Sequence, residues 1–295
     1  MPPDPVIGTS GLAAGARRVR LRWGRGPRVG WVVATPVIVL AAALCALLVL
    51  SLVWPAVAAP RMLIFAHHGD LDHWPENTLE GIVAASETAI DGVEFDVQRS
   101  ADGTWWLLHD PVLDSSTEET GVPSTLTDEE LASLTIDGGV GFAGQTGLHL
   151  PRFDEVLGAL ADYPGLVIVD VKDSDAAATA SVARILVDTG RPDSFVICRS
   201  VEAATAVKQL DPRFITVVLT NETWHPDVDA TLLDAAGGVW WPRTAWADAG
   251  GLVGMYVNTR DIAQSEIPLL ANGSRWGVSF VITNHIDEAL EWAGR

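Results

Sequence analysis

Eight short apolar runs, separated by alanine-rich stretches of helical character, constrain the fold of this chain more than any other feature. The runs cover residues 63–66, 93–97, 166–171, 195–198, 215–219, 237–241, 254–258 and 278–283. Helices are predicted between and after them at 78–89, 153–163, 176–190, 201–210 and 286–294. This β-α alternation indicates a parallel sheet, either doubly wound or closed as a (β/α)8 TIM barrel. Eight runs fit the eight strands of the barrel.

Acidic and imidazole side chains lie within or just after these runs. Glu94 and Asp96 are two residues apart in an extended segment, so both carboxylates point to one face of the predicted strand. His67 follows the run 63–66, and His109 follows the apolar residues 105–108. Barrel enzymes keep their chemistry at the C-terminal ends of the strands, so these positions favour the barrel over the doubly wound sheet.

Residues 63–285 resemble the glycerophosphodiester phosphodiesterase family, a TIM-barrel group related to the phosphoinositide phospholipases C. The resemblance is strongest over 66–110 and is carried by an ordered set of motifs: His67-His68-Gly69, Pro75-Glu76-Asn77-Thr78, Glu94-Phe95-Asp96, Ala101-Asp102-Gly103 and His109-Asp110. It implies a metal-dependent hydrolase that cleaves glycerophosphodiesters into glycerol 3-phosphate and an alcohol.

The resemblance also implies roles for single residues. His67 and His109 are expected to be the general acid and base, in an order that the sequence does not assign. One divalent cation is expected on Glu94, Asp96 and Asp170. Because these are hard oxygen ligands, Ca²⁺ or Mg²⁺ is favoured over Zn²⁺. The residues expected to contact phosphate or substrate are His68, Lys172, Glu76 and Asn77. Asn77 or Thr78 also makes a suitable N-cap for the helix that follows.

Two positions depart from the family's pattern. The family has an arginine in the first turn where this chain has His68, so a permanent cation is replaced by a group expected to be mostly neutral at pH 7. Contact with phosphate and a neutral spacer both remain open for His68. The third acidic ligand, usually glutamate in the family, is Asp170, which is one methylene shorter.

A separate N-terminal region precedes the barrel. Residues 1–30 contain six arginines and one acid, and residues 31–59 contain no charged side chain. The second segment exceeds the ~20 apolar residues that cross a bilayer. We therefore predict a basic cytoplasmic tail at 1–30, a single transmembrane helix or signal anchor at 31–59, and residues 60–295 outside the cytoplasm. Cleavage near Ala58 and secretion is the alternative.

Charge limits the partners of the soluble part. Residues after 30 carry 13 basic side chains against 37 acidic ones. Such a surface repels nucleic acid and anionic lipid at low salt, so neither is expected as a partner. A small phosphodiester, possibly lipid-derived, remains compatible if a bound cation offsets the charge.

Two further expectations concern the surroundings of the site. Residues 110–150 interrupt the β-α rhythm, and they are interpreted either as an insertion beside the active-site mouth or as a plain surface loop. The remaining histidines have no supporting partners in the sequence and are expected to be surface or packing residues: His73, His149, His225 and His285.

Three functions remain open. The first is the glycerophosphodiesterase activity described above. The second is hydrolysis of an intact lipid or a polymeric glycerophosphate, which a membrane tether would favour. The third is a non-catalytic phosphodiester-binding module, which the loss of the family's arginine suggests. Both histidines, three acids and a lysine are retained, which speaks against the third.

Overall fold

The apolar runs form a ring of parallel strands, as expected for a barrel. The computed structural model describes residues 61–113, 117, 119–136, 145–219, 225–234, 251–257, 265–275 and 277–295. The parallel strands are β1 (Leu63–Ala66), β2 (Gly92–Arg99), β4 (Leu166–Val171), β5 (Phe195–Cys198), β6 (Ile215–Val218), β7 (Ala230–Asp234), β8 (Leu252–Tyr256) and β9 (Phe280–Thr283). A short strand, β3 (Trp105–Leu107), is antiparallel to β2.

Pairing closes the ring. Each strand pairs in parallel with the next in the order β1-β2-β4-β5-β6-β7-β8-β9, and β9 pairs with β1. In the register of β2 and β4, Asp96 lies opposite Asp170. The prediction of an eight-stranded parallel barrel is therefore confirmed. Because all eight strands run the same way, their C-terminal ends lie at one end of the barrel.

The helices of the described part are α1 (Leu79–Ser86), α2 (Asp128–Ala132), α3 (Phe153–Ala159), α4 (Ala176–Asp188), α5 (Val201–Leu210), α6 (Ile267–Arg275) and α7 (Ile286–Ala293). Each predicted helix is present, and α6 was not predicted. None of the helices in these ranges combines the length and apolar character of a membrane span. The predicted tail at 1–30 and transmembrane segment at 31–59 lie outside the described residues.

Strand β7, the sixth strand of the ring, differs from the prediction. It is formed by Ala230–Asp234, whereas the apolar run at 237–241 that was expected to supply it lies outside the described residues. A second difference concerns residues 105–108. The apolar residues that precede His109 do form a strand, but this strand, β3, pairs antiparallel with β2 and is not a member of the ring.

An aromatic layer fills the barrel interior. Phe65, Phe195 and Phe280 contact one another edge-to-face, with ring centroids 5.2 to 5.9 Å apart. Two inward glycines make room for these rings. A Cβ on Gly92 would lie 2.5 Å from Phe65, and one on Gly254 would lie 2.1 Å from Phe280. The aromatic layer fills the interior of the barrel, and the polar side chains of the same strands lie at the C-terminal end.

The outer face of β2 confirms the predicted alternation. Val93, Phe95 and Val97 are fully buried in the core between the strands and the helices, whereas Glu94 and Asp96 point into the barrel. The strand is therefore apolar on its helix side and acidic on its inner side.

The described parts of 110–150 have a small apolar core of their own. Trp106, Leu113 and Leu131 pack there, and Trp74 from the loop after β1 packs against them. The side chain of Gln145 donates to the carbonyl of His73, 3.3 Å away, in the same loop. This region therefore contacts the loop that carries His67 and His68.

Candidate active site

The C-terminal end of the barrel collects most of the residues that the sequence singled out. His67 follows β1, Glu94 and Asp96 lie on β2, Asp170 lies on β4, and Lys172 follows β4. His109 lies two residues after β3. The group is largely buried, and only its rim is open to solvent.

Three carboxylates form the centre of the site. Oxygen atoms of Glu94, Asp96 and Asp170 lie within 4.8 Å of one another, and none of the three residues is more than 2% exposed. Burial and the adjacent Asp96 charge raise the pKa of Glu94 to about 8. Glu94 Oε1 has no hydrogen-bond partner in the described part of the chain, and Asp96 Oδ1 has an ion-pair contact with Lys172 without hydrogen-bond geometry. Buried anions this close repel one another unless a cation joins them.

This arrangement fits a divalent cation. The converging atoms are all carboxylate oxygens, which suit Ca²⁺ or Mg²⁺. Two overlapping groups also bring histidine nitrogens close to these acids: His67, His68 and Glu94, and His68, Asp96 and His109. His68 is already engaged by carboxylates, as described below, so the all-oxygen group is the better candidate.

Two cationic side chains approach the same carboxylates. Lys172 Nζ lies 2.6 Å from Asp96 Oδ1 and 2.8 Å from Asp170 Oδ2. Burial alone would lower the pKa of Lys172, but the two aspartates outweigh it and raise the pKa. Arg199 Nη2 lies 2.6 Å from Asp170 Oδ1. Arg199 was not predicted, although it directly follows the run 195–198 as His67 follows 63–66.

His68 is held between acids rather than left as a neutral spacer. Its backbone is left-handed, with φ of 55°, and its N–H donates to Glu94 Oε2 at 3.1 Å. Nδ1 lies 3.2 Å from Glu76, and Nε2 lies 2.9 Å from Asp96 Oδ2, at ion-pair distance but without hydrogen-bond geometry. Burial would lower the pKa of His68, but Asp96 and Glu76 raise it well above its ordinary value. These carboxylates favour the charged form of His68, in contrast to the mostly neutral group expected from the sequence.

Asn77 braces Asp96 from the side. Its Nδ2 donates to Asp96 Oδ2 at 2.9 Å, and its Oδ1 accepts from the Asp96 N–H at 3.0 Å. Thr78 caps α1, because its hydroxyl accepts from the backbone N–H of Gly81. With both ends of its amide engaged and 3% exposure, Asn77 positions a carboxylate.

The two candidate acid-base histidines differ in environment. His67 is 7% exposed, and its Nδ1 lies 2.6 Å from Asn284 Oδ1. Since an amide oxygen only accepts, Nδ1 carries the proton and Nε2 is left with a lone pair. Burial and the adjacent His68 lower the pKa of His67 well below its ordinary value.

His109 lies at the rim. Its side chain is 41% exposed, and its Nδ1 lies 2.7 Å from Asp110 Oδ1. The side chain of Gln98 donates to the backbone carbonyls of Leu108 and His109, both at 3.2 Å, and so fixes this segment. The His109 ring centroid is 5.0 Å from that of His68.

Other residues around the site were missed or underestimated by the sequence analysis. Tyr256, at the end of β8, has its ring centroid 5.3 Å from that of His67, and burial together with Glu94 raises the pKa of its phenol well above the ordinary value. His73 and His285 were expected to be surface or packing residues; the side chain of His73 is exposed, and each of the two has an aspartate partner in the loop after β1. His73 Nδ1 is 2.9 Å from Asp70, and His285 Nδ1 is 2.8 Å from Asp72.

Comparison with known proteins gives one family match. The profile of the glycerophosphoryl diester phosphodiesterase family matches residues 67–240. A glycerophosphodiester phosphodiesterase of Caldanaerobacter subterraneus is 34% identical over 113 residues, which are 38% of this chain and 46% of the relative. Glycerophosphodiester phosphodiesterase 1 of Homo sapiens is 27% identical over 167 residues, 56% of this chain and 50% of the relative. The chain thus spans about half the length of the curated relatives it matches.

Solved structures agree on the fold. A glycerophosphodiester phosphodiesterase from Agrobacterium tumefaciens has a TM-score of 0.63 at 23% identity, covering 78% of this chain and 99% of that one. An Oleispira antarctica phosphodiesterase, solved in complex with the product sn-glycerol-3-phosphate, has a TM-score of 0.67 at 18% identity, covering 79% of this chain and 97% of that one.

Proposed function

Because the chain belongs to the glycerophosphoryl diester phosphodiesterase family, we propose that it hydrolyses glycerophosphodiesters to glycerol 3-phosphate and an alcohol. The observation that carries the proposal is the convergence of two histidines and three carboxylates at the C-terminal end of one barrel. A phosphodiester is already anionic. Its cleavage therefore needs charge cancelled at the non-bridging oxygens and a proton delivered to the departing alkoxide.

The two histidines divide the proton transfers. His67 is the general base: with Nδ1 held by Asn284, its Nε2 accepts the proton of the attacking oxygen. His109 is the general acid: with Nδ1 held by Asp110, its Nε2 gives a proton to the leaving oxygen. The assignment is supported by exposure, because the alcohol departs towards solvent and His109 is the exposed member of the pair.

A divalent cation, Ca²⁺ or Mg²⁺, belongs on Glu94, Asp96 and Asp170. When bound, it supplies Lewis-acid charge at the phosphoryl oxygens. Asn77 holds Asp96 in place through both ends of its amide. His68 and Glu76 form an ion pair beside it, and Lys172 adds a positive charge that the equatorial oxygens of the substrate can meet.

A direct assay tests this function. The full chain is incubated with glycerophosphocholine, with and without chelator, and glycerol 3-phosphate release is measured by an enzyme-coupled reaction. We expect cation-dependent release that His67→Ala lowers by about 10²- to 10⁴-fold and that His149→Ala leaves unchanged, because His149 is exposed and lies in the region 110–150. Activity only on intact lipid or on polymeric glycerophosphate would redirect the substrate assignment. Binding of glycerophosphocholine without turnover of any diester would indicate a non-catalytic module.

We also propose that the barrel lies outside the cytoplasm, joined to the cell membrane by residues 31–59. Support comes from the sequence alone: six arginines precede an uncharged span of 29 residues. Arginine-rich flanks remain cytoplasmic. Release of the barrel after cleavage near Ala58 is the alternative, and the size of the mature protein in a cell fraction separates the two.

A further inference from the structure

We propose that Arg199 binds the phosphate of the substrate in this chain, in place of the first-turn residue at position 68. This inference rests on the proposed phosphodiesterase function and assigns its anion-binding residue. Arg199 directly follows β5 and precedes Ser200, the N-cap of α5. It therefore lies at the same end of the barrel as the catalytic groups.

The guanidinium points into the mouth of the barrel. Its Nη2 contacts Asp170 Oδ1 at 2.6 Å, and Asp170 pairs in register with Asp96 across β2 and β4. Its charge also counteracts part of the rise in the pKa of Tyr256, which ends β8 on another side of the ring. The Arg199 side chain is 24% exposed, whereas that of Asp170 is 2% exposed. The guanidinium thus covers the carboxylate from the open side, where a substrate enters.

Position 68 has no donor left for a phosphate. The backbone N–H of His68 donates to Glu94, its Nδ1 meets Glu76, and its Nε2 faces Asp96 at 2.9 Å. The residue is only 4% exposed. Its donors are directed at the surrounding carboxylates, so another side chain has to donate to the anionic substrate.

Arg199 has donors to spare. A guanidinium offers five N–H groups in a fork that matches two phosphate oxygens. In the part of the chain that the structure describes, the hydrogen bond of this group is the one from Nη2 to Asp170. Lys172 has three N–H donors, and two of them are directed at Asp96 and Asp170, so it has fewer donors left for a phosphate than Arg199.

Asp170 couples Arg199 to the cation site. Both of its oxygens are contacted by cationic side chains, Oδ1 by Arg199 and Oδ2 by Lys172. A divalent cation held by Glu94, Asp96 and Asp170 would compete with Arg199 for the same negative charge and would repel it. A phosphate would then supply the counter-charge of the guanidinium. Arg199 should therefore oppose cation binding slightly and favour phosphate binding strongly, which a purely structural counter-ion would not do.

Calorimetric titration of the full chain separates these roles. Cation affinity is measured alone, and sn-glycerol 3-phosphate affinity is measured with saturating cation, for wild type, Arg199→Gln and Arg199→Lys. We expect Arg199→Gln to weaken phosphate binding by about 10- to 100-fold, the worth of a charge-assisted bidentate contact, while cation affinity stays equal or increases. Arg199→Lys, which keeps the charge without the fork, should fall between them.

Arg99→Gln is the matched control, because Arg99 also pairs with an aspartate, Asp173 at 2.7 Å, but its side chain is 43% exposed. It should leave both affinities unchanged. Phosphate binding by Arg199→Gln within about twofold of wild type, or a parallel loss of cation affinity in both Arg199 variants, would overturn the inference. If wild type binds sn-glycerol 3-phosphate through Arg199 but cleaves no glycerophosphodiester, the proposed function fails and this inference stands.

Discussion

Replacing Glu94 with Gln should stabilise the cation-free protein at pH 7. Glu94 is fully buried, one of its oxygens has no hydrogen-bond partner in the described part of the chain, and its pKa is raised from 4.5 to about 8. At pH 7 the folded protein therefore holds a proton on Glu94 that the unfolded chain has released. Glutamine has the shape of the protonated carboxyl and carries no such penalty.

The size and sign follow from proton linkage. Because the folded state binds more protons, the free energy of unfolding falls by about 1.4 kcal/mol for each pH unit between 4.5 and 8. By pH 7 the penalty is about 3 kcal/mol, and at pH 5 it is below about 1 kcal/mol. Glu94→Gln should raise the free energy of unfolding by about the same amounts at these two pH values, so the stability difference between the variant and the wild type should grow with pH. Urea denaturation in excess chelator at pH 5 and pH 7 measures both values.

Asp96→Asn is the informative contrast on the same strand face. The Asp96 pKa is lowered: burial would raise it, but His68 and Lys172 outweigh that effect. Its loss removes a buried charge that both cations contact, while Lys172 keeps Asp170 and His68 keeps Glu76. Asp96→Asn should therefore cost about 3 kcal/mol, the lower end for a broken buried ion pair. Glu87→Gln, at an exposed helix end, should change stability by less than about 0.5 kcal/mol. Equal destabilisation by Glu94→Gln and Asp96→Asn at pH 7 in chelator would refute the reasoning.

Three further outcomes are expected. His67→Ala and His109→Ala should each lower kcat on glycerophosphocholine by about 10²- to 10⁴-fold, the usual worth of a positioned acid or base; near-normal kcat in either variant would remove that residue from catalysis. Because Glu94 has to lose its proton to bind a cation, the apparent cation affinity should rise with pH up to about 8. Cation binding at pH 7 should therefore release a proton, which calorimetry in two buffers of different ionisation enthalpy detects. Binding heats that are the same in both buffers would contradict this prediction. Protease added to spheroplasts should digest residues after 59, and complete protection beside a cytosolic control would reverse the topology.

Sequence pattern was sufficient where local preference and burial agreed. The runs 63–66, 166–171 and 195–198 coincide with β1, β4 and β5, because β-branched and aromatic residues there are flanked by turn formers. Glu94 and Asp96 share a face because strand side chains alternate. In these segments the chain neighbours alone determine which side is buried.

The sequence pattern did not predict the elements whose formation depends on tertiary contacts. β7 includes Thr231 and the charged Asp234, whereas the run at 237–241 contains two tryptophans and no charged residue, so the prediction favoured the second segment. α6 contains Pro268 and Gly273, both poor helix formers. Pro268 is tolerated as the second residue of the helix, since the first-turn N–H groups have no intrahelical acceptor, and contacts with α7 help to hold the helix.

The charges of the site residues could not be predicted from the sequence either, because they also depend on tertiary contacts. His67 and His68 are adjacent and chemically identical, yet the pKa of the first is lowered and that of the second is raised. The left-handed backbone at His68, with φ of 55°, breaks the strand and directs its ring to Glu76 and Asp96, while His67 faces Asn284. Two imidazoles whose pKa values are shifted in opposite directions thus lie with ring centroids 3.6 Å apart. Since His68 is engaged by the acids, we assign anion binding to Arg199, a residue that no sequence motif identified. Arg199 follows β5, which is two strands from β2 around the barrel.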